Sequence, residues 1–372
     1  MKVCHVGTEH RRYDTRIFYK ECVSLAKAGY NVTFLIADDC LPEETRNGVR
    51  ILPVHGVPRS RFMKRFFKYN EVMLKKALEL DADVYHLHEW ELLPWAKQLK
   101  NRNKTVVFDS HEYYSMNIKG NQSNPIQRNL ILFLYNYCES FIREFVDALI
   151  FPCNKDGVHP FEGRCKRLIT LDNYPSLDMY KQYIPNIKKK ERSICYVGGL
   201  SEARGITEVV KAAGLSDTTV YLAGSFSPPS YRRRIEELAE FSSVKYLGLL
   251  NRDEIIKLLQ SCQIGMATIH CLGQYGQFDN LATKCYEYMS LGLPVILTKA
   301  KYSKQVNDKY RFGICVDAEN ELEIASAIQY LLEHEEEAKQ MGLNGRKAIF
   351  EEFNWEKEQM KLLDLYTELG EE

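Results

Sequence analysis

Two acids, Asp279 and Glu287, stand with seven residues between them in the stretch from Phe278 to Met289, and Gly292-Leu293-Pro294-Val295-Ile296 follows. The residue types join a polar loop to a helix and the helix to a buried strand. A helix N-terminus presents backbone N–H groups that bind phosphate oxygens. Asn280, Leu281 and Ala282 would supply those groups, Lys284 a cation in the first turn, and Glu287, further along, a carboxylate able to accept two ribose hydroxyls. The segment therefore reads as half of a nucleotide-diphosphate site.

A second candidate half runs from Tyr196 to Ile206, where a strand ends and a helix opens. Gly198 and Gly199 would let the backbone approach a ligand closely. Arg204 and the helix N-terminus could share a diphosphate. Taken alone the segment is equally a glycine-rich turn with a solvated arginine, for it has neither the Gly-x-Gly-x-x-Gly fingerprint nor the phosphate-loop Lys-Ser/Thr pair.

Three polar strand ends occur earlier in the chain. Thr105–Asp109 runs into Ser110-His111-Glu112, and a histidine there can donate to a sugar hydroxyl or to developing charge. Val84–Leu87 carries His86 and leads to His88; two histidines at strand spacing share a face. With no third ligand at suitable spacing they read as cleft-lining or structural, and no metal site is expected. The first loop holds Thr8, Glu9, His10 and Arg11, with Asp14 or Thr15 placed to cap the next helix. Glu21 reads as structural.

The elements that must position these residues alternate. Strands are expected at Val3–Val6, Val32–Ile36, Val49–Val54, Val84–Leu87, Thr105–Asp109 and Ala148–Phe151, with helices at Asp14–Ala28, Arg61–Leu80, Leu92–Lys100 and Gln127–Phe145. Alternation pauses near Asn173-Tyr174-Pro175, Ile184-Pro185-Asn186 and the charged run Lys188–Arg192. It resumes with Ile194–Val197, Val220–Ala223, Val244–Leu247, Ile264–Ala267, Val295–Leu297 and Gly313–Val316. This is an α/β chain of two doubly wound, mostly parallel halves, with functional loops at the carboxyl ends of the strands. Its 372 residues suit two domains.

Composition narrows the classes. Fifty basic and fifty acidic residues balance, so no global field favours nucleic acid. Eleven scattered cysteines without a Cys-x-x-Cys pair argue for reduced thiols in a cytosolic protein. The N-terminus reads as a first strand rather than a signal peptide. No apolar run reaches the ~18 residues of a membrane span. From Arg59 to Leu78, Phe62, Phe66, Tyr69, Met73 and Ala77 form one stripe, widened by Met63, Phe67, Leu74 and Leu78. Arg61, Lys64, Arg65, Lys68, Lys75 and Lys76 fall opposite. Such a helix packs on the sheet with a solvated basic face, or also meets an anionic membrane surface through Arg59 to Lys76.

The acid-x7-acid pattern, in its Asn-Leu-x-x-Lys-x-x-Glu-Tyr-Met form at residues 280–289, resembles family 4 retaining glycosyltransferases of the polysaccharide-biosynthesis type. The resemblance implies the GT-B fold: two Rossmann-like domains facing across a cleft. It implies an acceptor-binding domain at 1–176, a linker at 177–192, a nucleotide-sugar-binding domain at 193–352, and a closing helix at 353–372 that crosses back to the first domain. Trp355, Met360, Leu363 and Tyr366 form that helix's apolar seam. The resemblance implies a metal-independent transferase without cofactor, acting from a UDP- or GDP-sugar onto a saccharide or polyprenyl-linked acceptor. Its place would be cytoplasmic, on the inner face of the plasma membrane where peripheral.

In that reading Glu287 binds ribose, Asp279 orients the donor sugar, and Arg204, Lys284 and the amides near Gly199 and Leu281 stabilise the leaving diphosphate. His111 acts on the reacting sugar from the other domain, and Thr8, Glu9, His10 and Arg11 face the acceptor. The chain departs from the family pattern at Gly199, often Arg or Ser, at Arg204, usually Lys, and at Asp279, commonly Glu. A sugar-nucleotide epimerase of the same fold and a non-catalytic sugar-nucleotide-binding scaffold remain as alternatives.

Overall fold

The computed structural model describes residues 1–57, 66, 69–121, 124–183, 189–272 and 275–371. The chain divides into two compact units, Met1–Asn173 with Trp355–Glu372, and Tyr174–Asn354.

The first unit is built on an eight-stranded sheet. Its strands are β1 Lys2–Gly7, β2 Asn31–Ala37, β3 Glu44–Arg46, β4 Val49–Val54, β5 Val84–Leu87, β6 Thr105–Asp109, β7 Ala148–Phe151 and β8 Arg167–Thr170, in the order β3-β4-β2-β1-β5-β6-β7-β8. All pairs are parallel except β3–β4. The central strands are Val/Ile/Leu-rich and buried on both faces, as a helix-covered parallel sheet requires. The order reverses between β1 and β5, so the loops that follow these strands part company there, the place where doubly wound sheets hold ligands.

Two strands escaped the sequence reading: β3 is a short, polar, antiparallel edge, and β8 is only half buried. The helix expected over Asp14–Ala28 starts as a π-turn, Ile17–Cys22, and continues as Val23–Lys27. Asp14 caps it, its carboxylate accepting from the Arg16 and Ile17 amides at 2.8 and 2.9 Å. The stretch Gln127–Phe145 is two helices, Pro125–Glu139 and Ile142–Phe145. Of the basic helix, Asn70–Glu79 is described, with Met73, Leu74 and Ala77 buried and Lys75 and Lys76 exposed. Arg59, Arg61, Lys64, Arg65 and Lys68 lie outside the described residues.

The closing helix, Trp355–Glu371, packs on this unit. Trp355, Leu362, Leu365, Tyr366 and Leu369 join Val3, Phe18 and Val32 in one core cluster, and Trp355 Nε1 donates to Ser24 Oγ at 2.9 Å. The seam is thus turned from the expected one: Met360 is exposed and Leu363 only partly buried. Spacings of three and four from Leu362 select Leu365, Tyr366 and Leu369 instead.

The second unit holds six parallel strands in the order β11-β10-β9-β12-β13-β14. They are β9 Ser193–Val197, β10 Thr219–Ala223, β11 Val244–Gly248, β12 Ile264–Ala267, β13 Val295–Thr298 and β14 Gly313–Val316. The order reverses between β9 and β12. The glycine loop follows β9, and the Asp279 loop follows β12, so topology alone brings both to one edge of the sheet. Tyr174 and Tyr180 pack in this unit's core with Tyr286, Tyr288 and Met289.

Candidate functional site

In the second unit the chain leaves β9 through Gly198 at φ +133°, passes a 3-10 turn at Glu202–Arg204 and enters the helix Ile206–Leu215 through Gly205 at φ +68°. A Cβ on Gly205 would lie 2.0 Å from the Thr268 carbonyl oxygen, so this glycine lets the loop press against the residue that follows β12. Gly199 is exposed, with open space where a Cβ would be. Arg204 ends the 3-10 turn, donates to Tyr275 Oη at 2.5 Å and stacks its guanidinium 4.5 Å from that ring's centroid.

The other half is the helix Thr283–Ser290. No side chain caps its N-terminus. The Leu281 amide, expected to face phosphate, instead donates to Tyr286 Oη at 3.2 Å, which leaves the first amides of the helix proper, beyond Ala282, as the candidates for that contact. Asn280 is exposed and Asp279 half-buried on the approach to this helix.

Lys284 is buried, although a cation in a first helical turn usually reaches water. Its Nζ donates to Tyr196 Oη at 3.0 Å and lies 4.3 Å from the ring centroid. The same Nζ would be 3.7 Å from a Cβ on Gly198, so the ammonium looks onto the glycine loop. Burial, with the Arg204 charge in support, pushes Lys284 down to about 7. Two cations crowded beside an uncapped helix start form a locus that an anion would relieve. Glu287, one turn further on, accepts from Arg252 at 2.7 Å. Gly198, Arg204, Lys284 and Glu287 are thereby gathered on one edge; Tyr196, Tyr275 and Arg252, which hold them, had no mark in the sequence pattern.

The first unit gathers a different set at the ends of β1, β5 and β6. Glu89 Oε1 accepts from the Thr8 amide at 2.9 Å, the Glu9 amide at 2.8 Å and His10 Nδ1 at 2.9 Å. Burial pushes Glu89 up, but the His10 hydrogen bond and charge outweigh it and bring the carboxyl down to about 2. Conversely burial pushes His10 down, and Glu89 raises it to about 9. The His10 and His111 rings lie 4.4 Å apart. His111 Nε2 is 3.1 Å from His88 Nδ1 and 3.5 Å from Asp109 Oδ2. Burial holds His111 well below its ordinary value despite Asp109, and His10 and His88 add to the effect. Arg16 clamps Asp109 with two hydrogen bonds of 3.0 Å. Thr8, Glu9, His10 and His111 are thus brought together; Arg11 is exposed. Sequence reasoning missed Asp109 and Glu89 as organisers, though each stands at or just after a strand's carboxyl end.

Two family models match the chain. Glycosyltransferase Family 4 matches residues 15–156, and Glycosyl transferases group 1 matches residues 181–348. No curated protein matches. Among solved structures, sucrose-phosphate synthase from Thermosynechococcus elongatus aligns with a TM-score of 0.78 at 18% identity, covering 99% of this chain and 98% of that one. HepE of Anabaena in complex with UDP-glucose aligns at 0.71 and 13% identity, over 99% of this chain and all 100% of that one. A trehalose-6-phosphate structure from E. coli bound with UDP-2-fluoro glucose aligns at 0.69 and 13%, over 98% of each chain. At these identities the neighbours show the fold, and the two Rossmann-like units are those of GT-B. The family matches, one on each half, support a glycosyltransferase of the family 4 kind.

Proposed function

We propose that the chain transfers a sugar, with retention, from a UDP-sugar to a saccharide or polyprenyl-linked saccharide during surface-polysaccharide assembly. The observation that carries this reading is the pairing of buried Lys284 with Arg204 beside the uncapped start of Thr283–Ser290, at the topological reversal of a parallel sheet. Positive charge there meets the charge that grows on a leaving diphosphate. Glu287 takes the ribose hydroxyls, Asp279 orients the donor sugar, and Gly198, Gly199, Ala282 and Asn280 line the diphosphate path. His111 donates to a sugar hydroxyl, with the Thr8–Arg11 loop meeting the acceptor. HepE, solved with UDP-glucose, supports uridine in the donor; the Asn-Leu-x-x-Lys-x-x-Glu-Tyr-Met form supports the polysaccharide role.

The charges needed by the diphosphate come from side chains and amides, so the reading includes no bridging cation. Thermal-shift and calorimetric titration with UDP, GDP and their sugars tests it. UDP is expected to bind with an affinity unchanged by Mg²⁺ or EDTA, and a ligand at 100 times its Kd to stabilise by ~2.7 kcal/mol. Preference for GDP would move the donor; a strict Mn²⁺ requirement for binding would overturn the cation model. No described helix is long and apolar enough to cross a membrane. Peripheral docking through the basic stretch Arg59 to Lys76 is tested by sedimentation with anionic vesicles at low and high salt, where exposed Lys75 and Lys76 give the charge-reversal sites.

A further inference from the structure

We propose that the first unit holds a divalent transition-metal ion of the zinc class between His5 Nε2, His86 Nε2 and the Glu21 carboxylate. His5 on β1 and His86 on β5 are register partners in adjacent parallel strands and project from the same face. The π-turn Ile17–Cys22 lies against that face, its Glu21 amide donating to the Arg16 carbonyl at 3.0 Å, five residues back. This wider turn brings Glu21 over the two rings. His5, Glu21, His86 and His88 are all wholly buried, and one ligand atom from each lies within 4.8 Å of the others. The histidines at 86 and 88 alone lacked further ligands at local spacing; the missing ones come from β1 and from the turn after it.

What points to an ion is the set of groups left over. His5 Nε2 and His86 Nε2 are buried without a hydrogen-bond partner, and neither Glu21 oxygen accepts from an N–H or hydroxyl donor. Glu21 Oε1 lies 2.9 Å from Arg16 Nε, but the Arg16 N–H groups are directed to Asp109 and to the Leu171 carbonyl. Orphaned buried polar groups are individually destabilising, and several converging on one point are hard to account for without an occupant. The opposite ring nitrogens, by contrast, are all engaged. His5 Nδ1 meets His88 Nε2 at 2.9 Å, and His86 Nδ1 meets Tyr366 Oη at 2.9 Å. One nitrogen free toward a centre and the other anchored outward is how metal-binding histidines are held.

Charge and chemistry agree. Burial holds His5 and His86 well below their ordinary values, in the neutral form that coordinates. Glu21 is pushed well above the carboxylate range, first by burial and then by Asp109, with which it also shares a hydrogen bond, so a bound ion would take the place of the proton held there. Two imidazoles and one carboxylate suit zinc, whose ligand atoms stand about 2.0–2.2 Å from the metal and so about 3.4 Å from each other. His88, with both nitrogens bonded, serves as an outer partner.

The ion would also set proton positions. With metal on His5 Nε2, the proton must be on Nδ1 and is donated to His88 Nε2. His88 then donates from Nδ1 to His111 Nε2, 3.1 Å away, and His111 keeps its own proton on Nδ1. The ion thereby positions His111 as a donor from that nitrogen. It belongs to the core of the first unit; the diphosphate groups belong to the second.

The test uses the full-length chain, free of a polyhistidine tag, with exposed Cys40 and Cys271 changed to Ser to remove adventitious thiol binding. Metal is measured by mass spectrometry after gel filtration and after refolding with Zn²⁺, and Co²⁺ loading is followed by its visible absorption. About one equivalent per chain is expected, with an N/O-type Co²⁺ band, and the near-isosteric Glu21→Gln is expected to bind at least about tenfold more weakly. A His86→Asn variant should lose the band. Should these variants fail to fold, the wild-type stoichiometry and Co²⁺ spectrum decide alone. Less than a tenth of an equivalent in wild type under both conditions, or equal retention by Glu21→Gln, overturns the proposal and leaves a proton on Glu21 in the ion's place.

Discussion

Arg252 donates from one guanidinium nitrogen to Glu287 at 2.7 Å and from another to the Tyr180 hydroxyl. The carboxylate assigned to ribose is therefore held before ligand arrives, by a residue at the start of the helix Arg252–Ser261. One carboxylate oxygen is engaged by Arg252, which leaves acceptor capacity on the carboxylate for ribose hydroxyls. Preorganisation of this kind removes an ordering penalty from binding.

Glu287→Gln keeps the shape and loses the charge. It is expected to weaken UDP binding by roughly 10- to 100-fold, since hydrogen bonds to a charged acceptor contribute roughly 1.5–3 kcal/mol each. Asp279→Asn is expected to leave UDP affinity nearly unchanged and to lower turnover sharply. Calorimetry with UDP and steady-state kinetics with the sugar donor separate the two. Equal loss of UDP affinity in both variants sinks the division of roles between ribose and donor sugar.

Lys284 predicts a pH signature for nucleotide binding. In the free protein it titrates near about 7, because burial and Arg204 disfavour its charge. A diphosphate beside it raises that value. A group whose bound pKa exceeds its free pKa contributes fully below the free value and loses its contribution as pH rises through the bound one. The Lys284 contribution to UDP affinity is therefore expected to be constant below about 7, and UDP affinity to fall by up to about tenfold per unit above it, where the phosphates of UDP, with a second pKa of about 6, no longer titrate. Calorimetry near pH 8 in buffers of different ionisation enthalpy should show proton uptake, and Lys284→Arg should abolish it. Affinity independent of pH from 7 to 9, with no buffer effect, rules the linkage out.

The second unit was the more legible in sequence. Its strands are short, apolar and flanked by glycine, and those expected at Ile194–Val197 and Val295–Leu297 appear as β9 and β13 with one residue added. Periodicity fails where an element is defined by its partner. The polar edge strand β3 exists because β4 offers it an unpaired edge, and the π-turn at Ile17–Cys22 leaves no period of its own. The same holds for the site. Glu287 and Lys284 were visible because they share one helix, whereas Arg252 comes from another helix, Tyr196 from β9 and Tyr275 from a loop. His5 and Glu21 join His86 across β1 and β5, and no spacing rule spans that gap.

Gly205 and Gly199 should separate fold from ligand. At Gly205 a methyl group would meet the Thr268 carbonyl, and the backbone is left-handed. Gly205→Ala is expected to destabilise by roughly 2 kcal/mol or more, lowering the unfolding midpoint by about 4–8 °C. Gly199→Ala has open space around its new methyl group and should move the midpoint by no more than about 2 °C while weakening UDP binding. Scanning calorimetry with and without UDP reads both. A Gly199→Ala protein that binds UDP normally would remove that residue from the diphosphate path.

Glu89 ties the first loop to the sheet, and its contribution should depend on pH in a defined window. The carboxyl is held down at about 2 in the folded protein, so its stabilising interactions are present above the ordinary carboxylate value and are lost as pH falls through about 2. His10 is raised to about 9, so the charged pair is complete below the ordinary histidine value and is lost as pH rises through about 9. The full contribution therefore spans pH ~4.5 to ~6.5. Glu89→Gln keeps an oxygen for the Thr8 and Glu9 amides but removes the charge that His10 pairs with. Wild type is expected to exceed this variant by roughly 2–3 kcal/mol in that window, with the advantage shrinking between about pH 7 and 9. Denaturant titrations at a series of pH values measure the difference, and the His10 ring signals by NMR should titrate near pH 9 in wild type and lower in the variant. A stability difference that stays constant from pH 5 to 10 would show that the pair is held by its neutral hydrogen bonds alone, with no charge between His10 and Glu89.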